Sequence, residues 1–429
     1  MRFSVFAALI AVTASTAFVI EACSSDSANP AGAGADAATE GGPDSSDVDG
    51  SSDGGADAAR DAAKKDGDTE TDGAIPDDGG VIIGGDPPSV QLIGRFEKDG
   101  AFDAFAFPGS KVIVRFKGPD AVMKLSQTDG FTVGQHNWLN VVVDGVLQPK
   151  IEVAGPSLDY PVATSLNPNM AHTVEIEKRT EANLGVVRFE GVTFPGGGTL
   201  LGPPVRPARR IEFLSDSTID GFGIEGSRFA GNPSSCGPGL APPQYNNARK
   251  SIAAVTAASL SAEQYIIAYS GKGLTKNESM GDPLYFPQLY NRALPDNAGS
   301  SWGFGWKPDA VVLSLGGADF DGLTAEPNGF SAAYGGLVDN IRGHYPNAWI
   351  FLTVWSQIKD DNLPTRTAMR TSLQGIINAR SADVKLSYFQ FPEANVNTDE
   401  TGCQYHGNEA HHVAMAALLT TELKSKLGW

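Results

Sequence analysis

The stretch Ile211-Glu212-Phe213-Leu214-Ser215-Asp216-Ser217-Thr218-Ile219-Asp220-Gly221-Phe222-Gly223 decides the fold. A short apolar run ends in Ser-Asp-Ser, followed by Thr and a glycine-rich segment. That is how a buried strand delivers a serine to the mouth of an α/β sheet. Ser217 is therefore a candidate nucleophile, and a capping serine at a helix start is the competing reading of the same residues. A serine hydroxyl is inert at its own pKa, so a nucleophile also requires a base, usually histidine, and donors for an oxyanion.

After this stretch, strands and helices alternate. Tyr245 to Leu260 carries Ile252, Val255, Ala258 and Ser259 at helical spacing, and Tyr265-Ile266-Ile267-Ala268-Tyr269 is a buried-strand run. Then come the strand Ala310 to Leu315, a helix Phe330 to His344, the strand Trp349 to Val354, a helix Thr365 to Asn378, the strand Val384 to Tyr388 and a last helix Asn408 to Leu427. Strands separated by helices predict a mostly parallel three-layer sheet, with ligands at the carboxyl ends of the strands.

Before it, from about Ser89 to Gly198, the period is two: Val90 to Phe96, Ala104 to Phe107, Lys111 to Phe116, Trp138 to Val143, His172 to Glu177 and Val186 to Phe189. Turn signals at Pro108-Gly109, Asp129-Gly130 and Asp144-Gly145 separate the runs, which predicts an antiparallel β-sandwich.

Residues 24 to about 87 are Asp, Ala, Gly and Ser with almost no large apolar side chain. They predict a disordered acidic tether that holds most of the formal charge of −18. Calcium binding by these aspartates is the weaker reading, because no EF-hand spacing is present. Outside the tether there is no basic stripe, which argues against nucleic acid. Arg2, the apolar run Val5 to Ile20 and a small residue before Cys23 read as an export signal. At 429 residues and 41% hydrophobic content, the chain has room for two cores beyond the tether. The expected division is 1–23 leader, 24–87 linker, 88–203 sandwich and 204–429 α/β domain.

Several of these segments resemble known families. Arg209 to Thr218 resembles the first block of the SGNH (GDSL-type) hydrolases, whose Gly-Asp-Ser serine is the nucleophile. Gly94-Arg95-Phe96, Phe107-Pro108-Gly109-Ser110 and Val142-Val143-Asp144-Gly145 resemble the N-terminal jelly roll of carbohydrate esterase family 2. With these the resemblance runs from about residue 88 to Trp429. It implies a jelly-roll β-sandwich followed by a flavodoxin-like SGNH α/β domain that removes O-acetyl groups from polysaccharides such as xylan and glucomannan, with no cofactor. Ile20-Glu21-Ala22-Cys23 is similar to a bacterial lipoprotein cleavage box, with an unusual Glu21, which implies lipidation of Cys23 and an exported protein, on the outer membrane or extracellular. The sandwich reads either as a sugar-facing accessory or as a wall that packs one side of a cleft; packing is the favoured reading, since fold alone assigns no site.

Three segments follow predicted strands: the one with Ser217, Ser270-Gly271-Lys272-Gly273-Leu274, and Gly316-Gly317-Ala318-Asp319-Phe320. A glycine after a strand can point its N–H at a ligand, and the resemblance places the N–H groups of Gly271 and Ser217 in the oxyanion hole. The chain departs from the family at Ala318, where Gly-x-Asn-Asp would supply a donor, and at Ser215, where the family has Gly. The Ser215 side chain either presses on the nucleophile turn or supplies hydrogen bonding that Ala318 lacks.

Of six histidines, His406 lies in the loop before the last helix, where the SGNH fold keeps its catalytic base. His136 and His172 fall in the sandwich; His344 sits at a helix C-terminus, which favours an imidazolium. His411 and His412 face solvent or pack on the helix, and the resemblance gives His412 a structural place. The aspartate expected three residues before the histidine is replaced by Cys403. A backbone carbonyl, or less well Asp399 or Glu400, then orients His406, and some family members work as Ser-His dyads. With Cys23 lipidated, Cys236 and Cys403 remain, and in an exported chain they read as a disulfide pinning the loop after the nucleophile to the loop of His406. No cluster at ligand spacing suggests a metal. The departures motivate a second reading, a catalytically impaired lipoprotein that binds glycan; a generic lipolytic esterase is a third.

Overall fold

A computed structural model describes residues 88–128, 135–226, 236, 243–279, 281–360, 364–394 and 401–429. The leader with Cys23, the linker, the Asp129-Gly130 turn, Asp399 and Glu400 lie outside the described residues. All described residues belong to one compact unit, Ala74–Trp429.

Period-two segments form the first part. Its strands are β1 Gln91–Ile93, β2 Glu97–Asp99, β3 Phe102–Phe105, β4 Lys111–Lys117, β5 Ala121–Thr128, β6 Asn137–Val143, β7 Val146–Val153, β8 Leu158–Ala163, β9 Ala171–Lys178, β10 Val186–Thr193 and β11 Thr199–Leu200. They pair antiparallel in two sheets, β1-β4-β9-β6-β7 with β11 on β4, and β2-β3-β10-β5-β8. Alternate side chains of the two sheets, among them Phe105, Val114, Phe116, Leu125, Leu139 and Val174, share one buried core. β5, β7 and β8 were not expected, because charged and polar residues interrupt their alternation. The run predicted over Val90 to Phe96 stops at Ile93, since Gly94 takes φ 116° and a Cβ there would meet Ser110 Oγ at 2.6 Å.

The second part has parallel strands β12 Arg209–Ser215, β13 Ala262–Ala268, β14 Ala310–Ser314, β15 Trp349–Val354 and β16 Leu386–Gln390, in the order β13-β12-β14-β15-β16. The helices are α1 Ile252–Ser259, α2 Phe286–Leu289, α3 Gly317–Phe320, α4 Phe330–His344, α5 Thr365–Asn378 and α6 Glu409–Leu427. Alternation along β12 feeds both faces. Ile211 and Phe213 join α1 and α6 in one core, and Leu214 joins α4 and α5 in the other. The chain leaves β12 for β13 on one side and returns to β14 on the other, so the switch point lies where β12 ends, at Ser217.

Helix α1 corrects an expectation. It is shorter than Tyr245 to Leu260 because the Ser251 side chain caps it, accepting from the Ala254 N–H at 3.2 Å. Its buried face is Ile252, Ala253, Ala254, Thr256 and Ala257, whereas Ala258 and Ser259 are exposed. His344 is a second correction. It stacks on Phe304 with ring centroids 3.6 Å apart, and burial, then Lys307 and Arg95, lower its pKa, so no imidazolium is favoured there.

The two parts are joined through buried polar groups. Arg95 is fully buried and pairs with Glu212 on β12 at 2.9 Å, while Tyr290 donates to the other Glu212 oxygen at 3.0 Å. The same guanidinium donates to the carbonyls of Tyr290 and Arg292. Arg179 bridges to Asn140 and Glu225, and its carbonyl accepts from Ala248 N at 3.1 Å. Packing is therefore one role of the sandwich.

Candidate active site

Ser217 lies two residues beyond the end of β12, in a turn braced from below. Ser215 is fully buried; its Oγ contacts Thr218 Oγ1 at 3.1 Å and accepts from Ile219 N at 3.3 Å. Thr218 Oγ1 reaches Ser314 Oγ on β14 at 3.2 Å, and Thr218 N donates to Asp216 Oδ1 at 3.0 Å. Of the two readings of Ser215, hydrogen bonding is the one observed, but it is spent inside the turn rather than in the cavity. Asp216 is buried beneath, and that burial raises its pKa to about 6.

His406 Nε2 lies 2.7 Å from Ser217 Oγ. Its Nδ1–H donates to the carbonyl of Gln404 at 3.0 Å, a tautomer that leaves Nε2 free to accept the serine proton. The ring keeps an edge on the cavity and is otherwise enclosed. That enclosure lowers its pKa to about 4, against smaller opposing effects of the Gln404 and Cys403 backbone.

The Gln404 carbonyl is aimed by an unusual turn. Gln404 and Tyr405 have φ 50° and 62°, a conformation that costs non-glycine residues roughly 1 kcal/mol or more each. Gly402 N donates to His406 O at 2.7 Å, His406 N to Cys403 O at 2.9 Å, and Cys403 N to Gly223 O at 3.1 Å. Cys403 is joined to Cys236, with Cα atoms 5.0 Å apart. Gly223, at φ 56°, must be glycine, since a Cβ would lie 2.4 Å from Cys403 Cβ. These contacts hold the two strained residues in place, and Phe222 packs against the His406 ring at 4.5 Å between centroids.

Gly271 follows β13 with φ 70°, and its carbonyl accepts from Glu278 N at 2.9 Å. The loop beyond it is tied to α3 by Asp319, which is fully buried. The Asp319 carboxylate accepts from the N–H groups of Leu274, Thr275 and Lys276 at 2.8, 2.7 and 3.1 Å and from Thr275 Oγ1 at 2.8 Å. The aspartate of the third segment thus shapes the second, while Ala318 stands half-buried on the first turn of α3.

Ser217, Gly271 and His406 line one cavity of about 680 Å³. Phe222, Tyr269, Ser270, Tyr405, Glu278 and Asp282 contribute from the α/β part; Gln135, Glu181, Asn183 and Leu184 contribute from the sandwich, so the sandwich also forms a wall of the cavity. Sequence reading missed Glu181, Phe222 and Tyr405. Phe222 and Tyr405 sit next to flagged residues, so adjacency was a usable signal, while nothing local marks Glu181. The other histidines are elsewhere. His136 and His172 pair with Glu152 and Asp144 in the sandwich. His411 and His412 are buried, not solvent-facing: His411 Nε2 lies 2.8 Å from Ser356 Oγ, and His412 Nδ1 accepts from Ile252 N at 3.0 Å.

The family described as Carbohydrate esterase 2 N-terminal matches residues 92–204. A solved family two carbohydrate esterase from Clostridium thermocellum, in complex with cellohexaose, is 32% identical, covers 80% of this chain and 100% of its own, and superposes with a TM-score of 0.71. The chain belongs to carbohydrate esterase family 2.

Among curated members, Cellulase/esterase CelE of Acetivibrio thermocellus is 33% identical over 346 residues, 80% of this chain. This family 2 chain spans 40% of the length of CelE. Acetylxylan esterase / glucomannan deacetylase of Cellvibrio japonicus is 24% identical over 352 residues, 81% of this chain and 91% of that protein.

Proposed function

We propose that the protein is a serine esterase that removes O-acetyl groups from polysaccharides of the xylan or glucomannan type. The observation that carries this reading is the 2.7 Å contact from His406 Nε2 to Ser217 Oγ, on a histidine whose other nitrogen is fixed by the Gln404 carbonyl. Ser217 attacks the acetyl carbonyl as His406 takes its proton. The N–H groups of Gly271 and Ser217 receive the oxyanion, and the protonated His406 releases the sugar hydroxyl. Water, activated by the same histidine, then hydrolyses the acyl-enzyme. The carbohydrate leaving group is supported by the family and by the activity for which the Cellvibrio relative is named. The leader reading adds export and a lipid anchor at Cys23. The test is acetate release from acetylated xylan and from an activated aryl acetate, with Ser217→Ala as blank. Wild-type rates equal to the blank would leave the glycan-binding reading, which the missing donor at Ala318 motivates.

The acid limb of kcat/KM is a further check. His406 must be neutral to act as base, and its enclosure holds the folded pKa near about 4. Activity is therefore expected to persist through pH 6 and fall only towards pH 4. An acid limb between pH 6 and 7 would mean that His406 titrates as a solvated imidazole. Stability has a different window: the unfolded histidine binds its proton first, so this contribution is intact above the ordinary histidine pKa of about 6.5 and is lost as pH falls from there through about 4.

Ala318→Asn is expected to raise turnover on an aryl acetate, with little change in KM, because it restores an amide where charge develops in the transition state. Losing one such donor typically costs about 3 to 4 kcal/mol. The expected gain is about 1 to 2 kcal/mol, because Ser215 is committed to its own turn and the packing has adapted to alanine. No gain on acetate together with selective loss on longer acyl esters would mean that Ala318 makes room for substrate.

A further inference from the structure

The loop after β13 carries a charge that the chemistry above does not use. Glu278 N donates to Gly271 O at 2.9 Å, which folds this loop back onto the turn that offers an oxyanion donor. The fold sets the carboxylate against that glycine: a Cβ at Gly271 would lie 3.0 Å from Glu278 Oε2 and 3.1 Å from Glu278 Cβ. The missing side chain of Gly271 thus leaves room for a carboxylate as well as for a substrate carbonyl. Glu278 is exposed and lines the cavity, and among the described residues no side chain donates to its carboxylate or pairs with it.

The groups around Glu278 do not offset its charge. Glu181 and Asp282 also line the cavity, and among the described residues no lysine or arginine does. Asp282 is paired with Lys272, whose ammonium also donates to Leu284 O at 2.9 Å and sits 4.9 Å from the centre of the Tyr269 ring. Glu181 accepts from Ser270 Oγ. Lys276, two positions before Glu278, reaches Asp321 O at 3.4 Å. Glu278 is therefore the open acceptor beside the oxyanion turn. An oxyanion forming next to an uncompensated carboxylate is disfavoured by like-charge repulsion. A sugar that brings a hydroxyl to the carboxylate relieves that penalty through a charge-assisted hydrogen bond, and the hydroxyl on the carbon next to the acetylated one is the donor nearest the ester. A uronate brings a second carboxylate and adds to the repulsion.

We propose that Glu278 is a specificity-determining residue: its carboxylate, set against the oxyanion glycine, accepts the free hydroxyl next to the acetylated position of a neutral sugar and turns away uronic-acid glycans. The proposal rests on the esterase reading and narrows its substrate class to neutral glycans acetylated on one of two neighbouring hydroxyls. The charge that slows an ester without a hydroxyl is the same charge that favours a sugar ester, so removing it moves the two kinds of substrate in opposite directions.

The experiment measures acetate release by wild type and Glu278→Gln, as kcat/KM, on four substrates. These are partly acetylated xylan freed of uronic acids, acetylated polygalacturonate, the same polygalacturonate with its carboxylates methyl-esterified, and an activated aryl acetate, which has no hydroxyl. Glu278→Gln keeps the backbone bond to Gly271 and the size of the side chain. It is expected to slow the xylan and to speed the aryl acetate, so that the ratio of the two falls about tenfold, because an amide accepts a hydroxyl less strongly and does not repel an oxyanion. Wild type is expected to favour the methyl-esterified galacturonate over the free acid by about tenfold, and Glu278→Gln to remove most of that preference. A residue that only shapes the loop would slow every substrate together. A xylan-to-aryl-acetate ratio that falls less than about threefold, or a preference for the methyl ester that survives in Glu278→Gln, overturns the proposal. If neither galacturonate is turned over, the ratio alone decides. Wild-type turnover equal to the Ser217→Ala blank would sink the esterase reading instead. Glu278 is then read by calorimetry in the Ser217→Ala protein, which should bind methyl-esterified acetylated oligogalacturonate more tightly than the free acid. Equal affinities there, or a difference that Glu278→Gln leaves in place, overturn the proposal as well.

Discussion

Ser217→Ala and His406→Ala are each expected to lower turnover on an activated aryl acetate by about a thousandfold or more, and the double variant should be little slower than either. The 2.7 Å contact makes the two groups one unit, so removing either removes the activated nucleophile, and removing the second takes away nothing further. KM should move little, since both groups act on the bond made and broken in the transition state. Residual activity should remain above the uncatalysed rate, because the Gly271 and Ser217 N–H groups survive both substitutions. Additive losses in the double variant would show that Ser217 and His406 act separately, and a His406→Ala enzyme within tenfold of wild type would move the base elsewhere.

The largest expected loss of stability is at Arg95. Its side chain and that of Glu212 are both fully buried, so Arg95→Ala leaves an uncompensated carboxylate on the interior strand β12. Breaking a buried pair from one side costs about 3 to 5 kcal/mol. Two carbonyls, of Tyr290 and Arg292, also lose their donor. The urea midpoint should fall accordingly at constant m. Arg95→Met combined with Glu212→Leu should recover much of the loss, because apolar residues of similar volume replace such a pair at little cost. A single-variant loss under about 1 kcal/mol would mean that water reaches Glu212 and that the two parts are joined mainly by other contacts.

The α/β part was legible because its strands are short apolar runs and because α4 and α5 have a clear apolar period. Phe330–His344, Trp349–Val354 and Thr365–Asn378 fall at the expected residues. The exceptions have local causes. α1 begins late because the hydroxyl of Ser251 competes for its first turn, and β7 and β8 expose much of one face, so their letters read as loop. In the site, Ser217, Gly271 and His406 stood out because each follows or precedes a regular element and falls where the family that the chain resembles keeps its catalytic groups. Gln404 and Tyr405 did not, since a left-handed conformation in non-glycine residues depends here on the anchoring of Cys403 to Gly223 and Cys236, which lie far away in sequence. Glu181 was invisible for the same reason: its partner is Ser270, far along the chain, and nothing in its own neighbourhood announces it.

The contact between His406 and Ser217 spans 189 positions, and it depends on α6 being docked, where His412 accepts the first amide of α1 across 160 positions. No early fragment of the chain can therefore turn over substrate, even one that has already assembled its parallel strands. On the proposed esterase reading, turnover doubles as a completion signal for folding. On mild denaturation it should vanish as soon as the C-terminal helix lifts away, while the spectroscopic signal of the sheet is still intact.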